Sequence, residues 1–197
     1  MRILLASLVL LSAAAHADPV DTIGARVGGY GFRNPQATES RNAWDDCRMN
    51  GLGVFARKDV GFVNVEAGAD IYFSESFPMA PNSDDAAEDR LSGIVTVAAG
   101  AKLVDTSRFR AMAQLGTGVE LTHFKMTMPT GLEAEDSRAL PVGFVGVTAE
   151  IKLGDKTAVG GALRTFVMGK FDANAACQLE VEPEAAAQGQ FYLSYRL

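Results

Sequence analysis

The sequence predicts an all-β fold: eight antiparallel strands closed up and down into a transmembrane β-barrel. Three observations carry that prediction. Apolar and polar residues alternate with period two through one run after another. The connectors between runs are short and long in turn, which puts tight turns on one rim and long loops on the other. The sequence finishes inside its last alternating run. Period two is the signature of a strand whose two faces meet different surroundings. Segregated turns and loops belong to barrels that sit in a membrane.

Residues 1–17 read as a secretory leader. Arg2 supplies the positive start, Ile3 to Leu11 the apolar core and Ala15-His16-Ala17 the small-x-small cleavage site. The apolar stretch is too short to cross a bilayer as a helix. The barrel domain is then residues 18–197, about 180 residues, which is enough for one domain with its own core. No later stretch holds eighteen consecutive apolar residues. The formal net charge of −6 becomes one unit more negative once Arg2 is removed. Such an acidic chain is unlike a generic nucleic-acid binder. The barrel domain has one histidine, His123, and two cysteines, Cys47 and Cys177. That set does not make a structural zinc site, and no cofactor is expected.

The strands are expected at residues 22–33, 48–58, 62–74, 91–103, 108–125, 142–153, 158–170 and 188–197. The first carries Arg26, Gly28 and Tyr30 on its polar face, and the second carries Gly51, Gly53, Phe55 and Arg57. The third is the clearest: Val63, Val65, Ala67, Ala69, Ile71 and Phe73 oppose Asn64, Glu66, Gly68 and Asp70. The fourth turns Gly100 and Lys102 to the polar side. In the fifth, Phe109, Ala111, Ala113, Leu115, Val119 and Leu121 oppose Arg110, Gln114, Gly116, Gly118 and Glu120. The sixth offers Phe144, Glu150 and Lys152, and the seventh Arg164 and Phe166. The last sets Phe191, Leu193, Tyr195 and Leu197 against Gln190, Tyr192, Ser194 and Arg196. On a helix these charges would fall all round the cylinder. Turns of hairpin length follow the second, fourth and sixth strands. Residues 34–47, 75–90, 126–141 and 171–187 are expected to be long loops, and they hold six of the seven prolines, Pro35, Pro78, Pro81, Pro129, Pro141 and Pro183.

Alternation alone does not say which face points inward. A soluble lipocalin-like barrel would put the apolar face inside, and that periplasmic ligand-binding barrel is one alternative. The polar face, however, mixes charges with glycines and aromatics, a composition suited to a narrow lumen filled by large side chains. The pattern resembles the small OmpA/OmpX-type outer-membrane barrels across the whole exported chain, in pattern and not through a diagnostic motif. The terminal Phe191, Leu193, Tyr195 and Leu197 are similar to the C-terminal signal read by the barrel-assembly machinery, although the chain departs in ending on leucine. The resemblance implies an outer-membrane monomer with short periplasmic turns and long extracellular loops. It also implies contacts with membrane lipid, lipopolysaccharide and the assembly machinery, and none with nucleic acid.

The expected lumen charges are Arg26, Arg57, Lys102, Arg110, Lys152, Arg164 and Arg196 against Glu66, Asp70, Glu120 and Glu150. Arg57, Lys102, Arg110, Lys152 and Arg196 are placed toward the periplasmic end, and Glu66, Glu150, Arg26 and Arg164 nearer the middle. An unpaired charge in so narrow a space costs several kcal/mol, roughly, so the carboxylates should pair with arginines. That gives a salt-bridged plug, with a gated ion path as the alternative. Cys47 and Cys177 lie in the first and fourth long loops, which closure makes neighbours. They are expected to form a disulfide, with two free thiols as the alternative. Acidic clusters at Asp84, Asp85, Glu88 and Asp89, at Glu133, Glu135 and Asp136, and at Glu180, Glu182 and Glu184 read as solvated loops or as weak divalent-cation ligands, with no metal site assigned. Trp44 reads as an interfacial or loop-packing residue.

His123 alone suggests chemistry. Some eight-stranded barrels are lipid A deacylases with His-x-Ser on an outward strand face, but here His123-Phe124-Lys125 has lysine where the serine belongs. Ser137 is the one nearby hydroxyl, and nothing in the sequence brings it to the histidine. The expected function is therefore non-enzymatic, structural or surface-interacting, with a lipid A-modifying enzyme as a further alternative.

Overall fold

The computed structural model describes residues 20–32, 48–74, 77–78, 87–127, 131–168 and 185–197. Its strands are β1 Thr22–Phe32, β2 Arg48–Val60, β3 Val63–Phe73, β4 Phe77–Pro78, β5 Ala87–Asp105, β6 Phe109–Thr127, β7 Glu133–Lys152, β8 Thr157–Met168 and β9 Ala185–Arg196. The eight long strands pair antiparallel with their neighbours in the chain. β1 also pairs with β9, with Ile23 opposite Tyr195 and Val27 opposite Phe191. That pairing closes the sheet into an eight-stranded up-and-down barrel and removes its open edges. β4 is a two-residue rung against Ala87 and Glu88.

The alternation decides which way each residue faces. In β3, Asn64, Glu66, Asp70 and Tyr72 are buried while Val65, Ala67, Ala69, Ile71 and Phe73 are outward. The same inversion runs round the barrel. Val27, Leu52, Phe73, Val95, Leu115, Val145, Leu163 and Phe191, one from each long strand, are all more than half exposed. A continuous apolar belt of this kind is untenable in water and suits lipid. A lipocalin-like barrel requires the opposite polarity, so this interior excludes that alternative.

The interior is narrow because glycines stand beside bulky neighbours. Phe55 lies over Gly24, Tyr72 over Gly51, Phe144 over Gly116 and Tyr192 over Gly160. Each large side chain covers the glycine beside it in the ladder, not one on the far wall. A Cβ at those glycines would collide with the ring, so the missing side chain makes the aromatic layer possible.

The turn rim is tight. Gly61 takes a left-handed φ of 63° between β2 and β3. Thr106 Oγ1 accepts from the Phe109 amide at 3.0 Å in the next turn. A bulge between Lys102 and Val104 in β5 shifts the parity by one. That shift carries Asp105 to the same side as Lys102.

The loop rim departs from the sequence reading. Of the stretch 126–141 expected to be a long loop, residues 126–127 and 133–141 are strand, because β6 and β7 stay paired from His123–Ser137 to Thr127–Glu133. β6 and β7 run 19 and 20 residues, against about 9–11 needed to cross a bilayer. Once a strand leaves lipid its outward side chains become polar, and the alternation that marks it fades. Pro141 is a false stop signal: it lies one residue beyond the last rung to β8, where a missing N–H costs nothing on that side. β5 likewise starts at Ala87, inside the stretch expected to be loop, and β9 at Ala185. Residues 1–17, expected to be a leader, and Trp44, Cys47, Cys177 and the acidic residues Asp84, Asp85, Glu180, Glu182 and Glu184 lie outside the described residues.

Candidate functional site: the filled lumen and the outer rim

The lumen centres on Glu66 of β3. Arg26 Nη1 donates to its Oε1 at 2.9 Å, and Arg164 Nη2 to the same oxygen at 2.6 Å. Arg57 Nε donates to Oε2 at 2.7 Å and Gln114 Nε2 at 3.3 Å. Arg26 grips Asp70 with two nitrogens, Nε at 2.6 Å and Nη2 at 2.7 Å, the fork-on-carboxylate geometry that only arginine provides. Arg57 Nη1 reaches Glu150 at 3.1 Å, and the Tyr192 hydroxyl donates to the same oxygen at 3.2 Å. Three guanidinium groups thus face three carboxylates, every one of those side chains at most 6% exposed. The arginine faces are used too. Arg57 lies 4.2 Å from the Phe55 ring centre and 4.8 Å from that of Tyr192. Arg164 lies 5.0 Å from Phe144.

Toward the loops an apolar layer closes the lumen. Tyr30, Met49, Tyr72, Ile94 and Phe166 are wholly buried. Tyr30 packs edge-on to Phe166 at 5.9 Å between ring centres, and Phe166 tilts against Phe144 at 5.0 Å. The Tyr72 hydroxyl accepts from Gln188 at 2.6 Å and from Gln190 at 2.8 Å, which joins this layer to the charges below. A second buried pair, Arg90 with Glu120 at 3.1 Å, lies on β5 and β6 beside Ser92 and Thr122.

The turn-side mouth holds a looser set. Lys102 and Arg110 each approach Asp59 at 3.3 Å, Arg110 approaches Asp105 at 3.4 Å, and Lys152 meets Asp105 at 2.6 Å. Arg110 also leans toward Glu150 at 3.6 Å, linking mouth to centre. Asp21, just ahead of β1, accepts from the Asp59 amide at 2.8 Å and from Lys58 Nζ at 3.0 Å. Those donors hold its carboxyl below the ordinary aspartate range. Arg196 stands exposed at this mouth, apart from the buried cluster.

Of the charges singled out in the sequence, the structure gathers Arg26, Arg57, Glu66, Asp70, Glu150 and Arg164 into one buried cluster and ties Arg110 to its edge. Lys102 and Lys152 sit in the mouth, and Glu120 sits with Arg90. Sequence reasoning misses Arg90, because it falls in a stretch that reads as loop. Its even-numbered spacing from Ser92 and Ile94 is the available signal. It also misses Gln114, Gln188 and Gln190 as partners, because their neutral amides carry no charge to match. Asp59 and Asp105 read as turn residues only. The terminal Phe191, Leu193, Tyr195 and Leu197 are all exposed on the outer face.

On the outer face, His123 and Ser137 are direct partners across β6 and β7. His123 Nδ1 and Ser137 Oγ lie 2.9 Å apart, so the hydroxyl that the sequence leaves unplaced reaches the imidazole.

No protein-family model matches the chain, and no curated protein sequence matches it. Solved structures do. Neisserial surface protein A superposes with a TM-score of 0.57 over 89% of this chain and 96% of its own, at 11% identity. The chain has the fold of the small eight-stranded outer-membrane barrels. The attachment invasion locus protein of Yersinia pestis gives a TM-score of 0.55 at 12% identity, covering 91% of this chain and all of that one. A major outer membrane protein from Thermus thermophilus gives 0.55 at 13% identity, covering 89% and 99%. At identities of 11–13% the likeness is one of outer-membrane barrel fold alone.

Proposed function

We propose that the protein is an exported, monomeric resident of the outer membrane whose barrel is a closed structural post, carrying its function on the outside and conducting nothing. One observation carries this reading: the lumen is filled by a charge-balanced cluster and then capped by a fully buried aromatic layer. An ion path needs water-lined continuity, and Tyr30, Tyr72 and Phe166 occupy the place where it would run. The salt bridges fix which strands adjoin, because Glu66 on β3 binds arginines from β1, β2 and β8. The outward apolar belt faces membrane lipid and lipopolysaccharide. The outward terminal residues Phe191, Leu193, Tyr195 and Leu197 present the assembly signal to the barrel-assembly machinery.

The test has two parts. Membrane fractions should release the protein into detergent but not into high salt or urea, and unheated samples should run differently from heated ones on gels. Refolded protein in a planar bilayer should give no unitary currents. Steady single-channel conductance would overturn the closed-post reading, and release by salt would overturn membrane residence.

A further inference from the structure

Beyond a structural role, the geometry points to an acyl-ester hydrolase site on the outer face, with Ser137 as nucleophile and His123 as its base. The two side chains are opposite each other in the β6–β7 ladder, and their 2.9 Å contact is within the reach a base needs to take a hydroxyl proton. Both are exposed, so a substrate can approach.

Their depth selects the substrate. On the membrane side the outward neighbours are Leu121, Ala139, Leu91 and Ile71, while on the loop side they are Lys125, Glu133 and Glu135. The dyad therefore stands at the line where the apolar belt gives way to polar surface. Glycerol and sugar esters of membrane lipids lie at that level. An apolar groove of about 500 Å³ reaches the pair, lined by Ile71, Leu91, Gly93, Leu121 and Ala139. The small residues Gly93 and Ala139 lie among three large ones and leave a trough that accommodates an acyl chain. The carboxylates nearby disfavour a bare phosphate as the recognised group. An uncharged ester fits between a hydroxyl and an imidazole.

The chemistry closes with water as the only co-reactant. Ser137 Oγ attacks the acyl carbonyl carbon while its proton passes to His123 Nδ1. The carbon–oxygen bond to the lipid alcohol breaks, and the alcohol leaves with the proton from His123. Water then attacks the acyl-serine, giving one proton to His123, which returns it to Ser137 Oγ as the fatty acid departs. Lys125, one outward rung further along β6, is held by Glu133 at 2.9 Å and marks the polar side of the site.

The experiment uses the whole exported chain refolded into phosphatidylethanolamine–phosphatidylglycerol vesicles that carry a long-chain p-nitrophenyl ester, with a fluorophosphonate as active-site probe. Wild-type protein should release nitrophenol and acquire the probe's mass on the peptide holding Ser137. Ser137→Ala and His123→Ala should each lower the rate by about a hundredfold or more while keeping the heat-dependent gel mobility of a folded barrel. Equal rates in folded wild type and folded Ser137→Ala would overturn the proposal, and so would labelling elsewhere. Loss of the mobility shift in wild type would sink the barrel reading and the site with it, so the gel tells the two failures apart.

Discussion

The middle of the lumen and its turn-side mouth are both built from ion pairs, yet they are held by different physics. In the middle, Glu66 shares three arginines and is 2% exposed. In the mouth, Asp59 and Asp105 share Lys102, Arg110 and Lys152, with the carboxylates 28% and 31% exposed. Buried ions have lost their water and depend on one another, so removing one leaves the rest uncompensated. Charges at a wet mouth are rehydrated at once and weakly coupled. The number of ion pairs is therefore a poor guide to what fixes this barrel, and depth is a better one.

The sharpest test of that contrast is Glu66→Gln. It keeps the shape and leaves Arg26, Arg57 and Arg164 with a neutral amide between them. We expect a loss of about 3–5 kcal/mol in urea unfolding from detergent or vesicles. A double-mutant cycle with Arg164 should show non-additivity of about 0.5–3 kcal/mol. A loss no larger than that of a mouth variant would erase the distinction between the two regions.

Next in size is the aromatic layer. Gly116→Val forces a side chain into the Phe144 ring and the Val97 carbonyl. Overpacking of this kind costs about 1–3 kcal/mol, and the same protein should show a lowered midpoint with its mobility shift retained. An unchanged midpoint would mean that the layer is looser than its burial implies.

Legibility follows the same depth. The strand pattern can be read from alternation, because lipid outside and packing inside impose opposite chemistry on odd and even positions, and the polar lumen from the glycines and aromatics that stand among its charges. The pairing of Glu66 with three arginines can be anticipated only as a need for partners, since register across β1, β2, β3 and β8 decides which arginine arrives. Beyond the bilayer the constraint on the outward face lapses. There the pattern misleads: the β6–β7 extension passes for a loop, Arg90 is lost, and Ser137 stays apart from His123.

The mouth should yield smaller effects that depend on solution conditions. Lys152→Met removes the 2.6 Å contact to Asp105. It should cost no more than about 1 kcal/mol, with the loss shrinking as salt is raised. A salt-independent loss would mean that this pair is sealed from solvent after all.

Smallest of all is Asp21, whose carboxyl is held below its ordinary range by the Asp59 amide and Lys58. A carboxyl lowered in the folded state contributes stability in full above its unfolded value, roughly 3.9. That contribution is lost as pH falls from there through the folded value. Asp21→Asn keeps an oxygen for the Asp59 amide and removes only the charge. Wild type should therefore unfold at slightly higher urea than the variant at pH 7, and the gap should close as pH is taken below about 4. A gap that persists unchanged at a pH of about 3 would place the effect in shape and not in charge. The mouth would then belong with the buried centre, where geometry and not hydration sets the outcome.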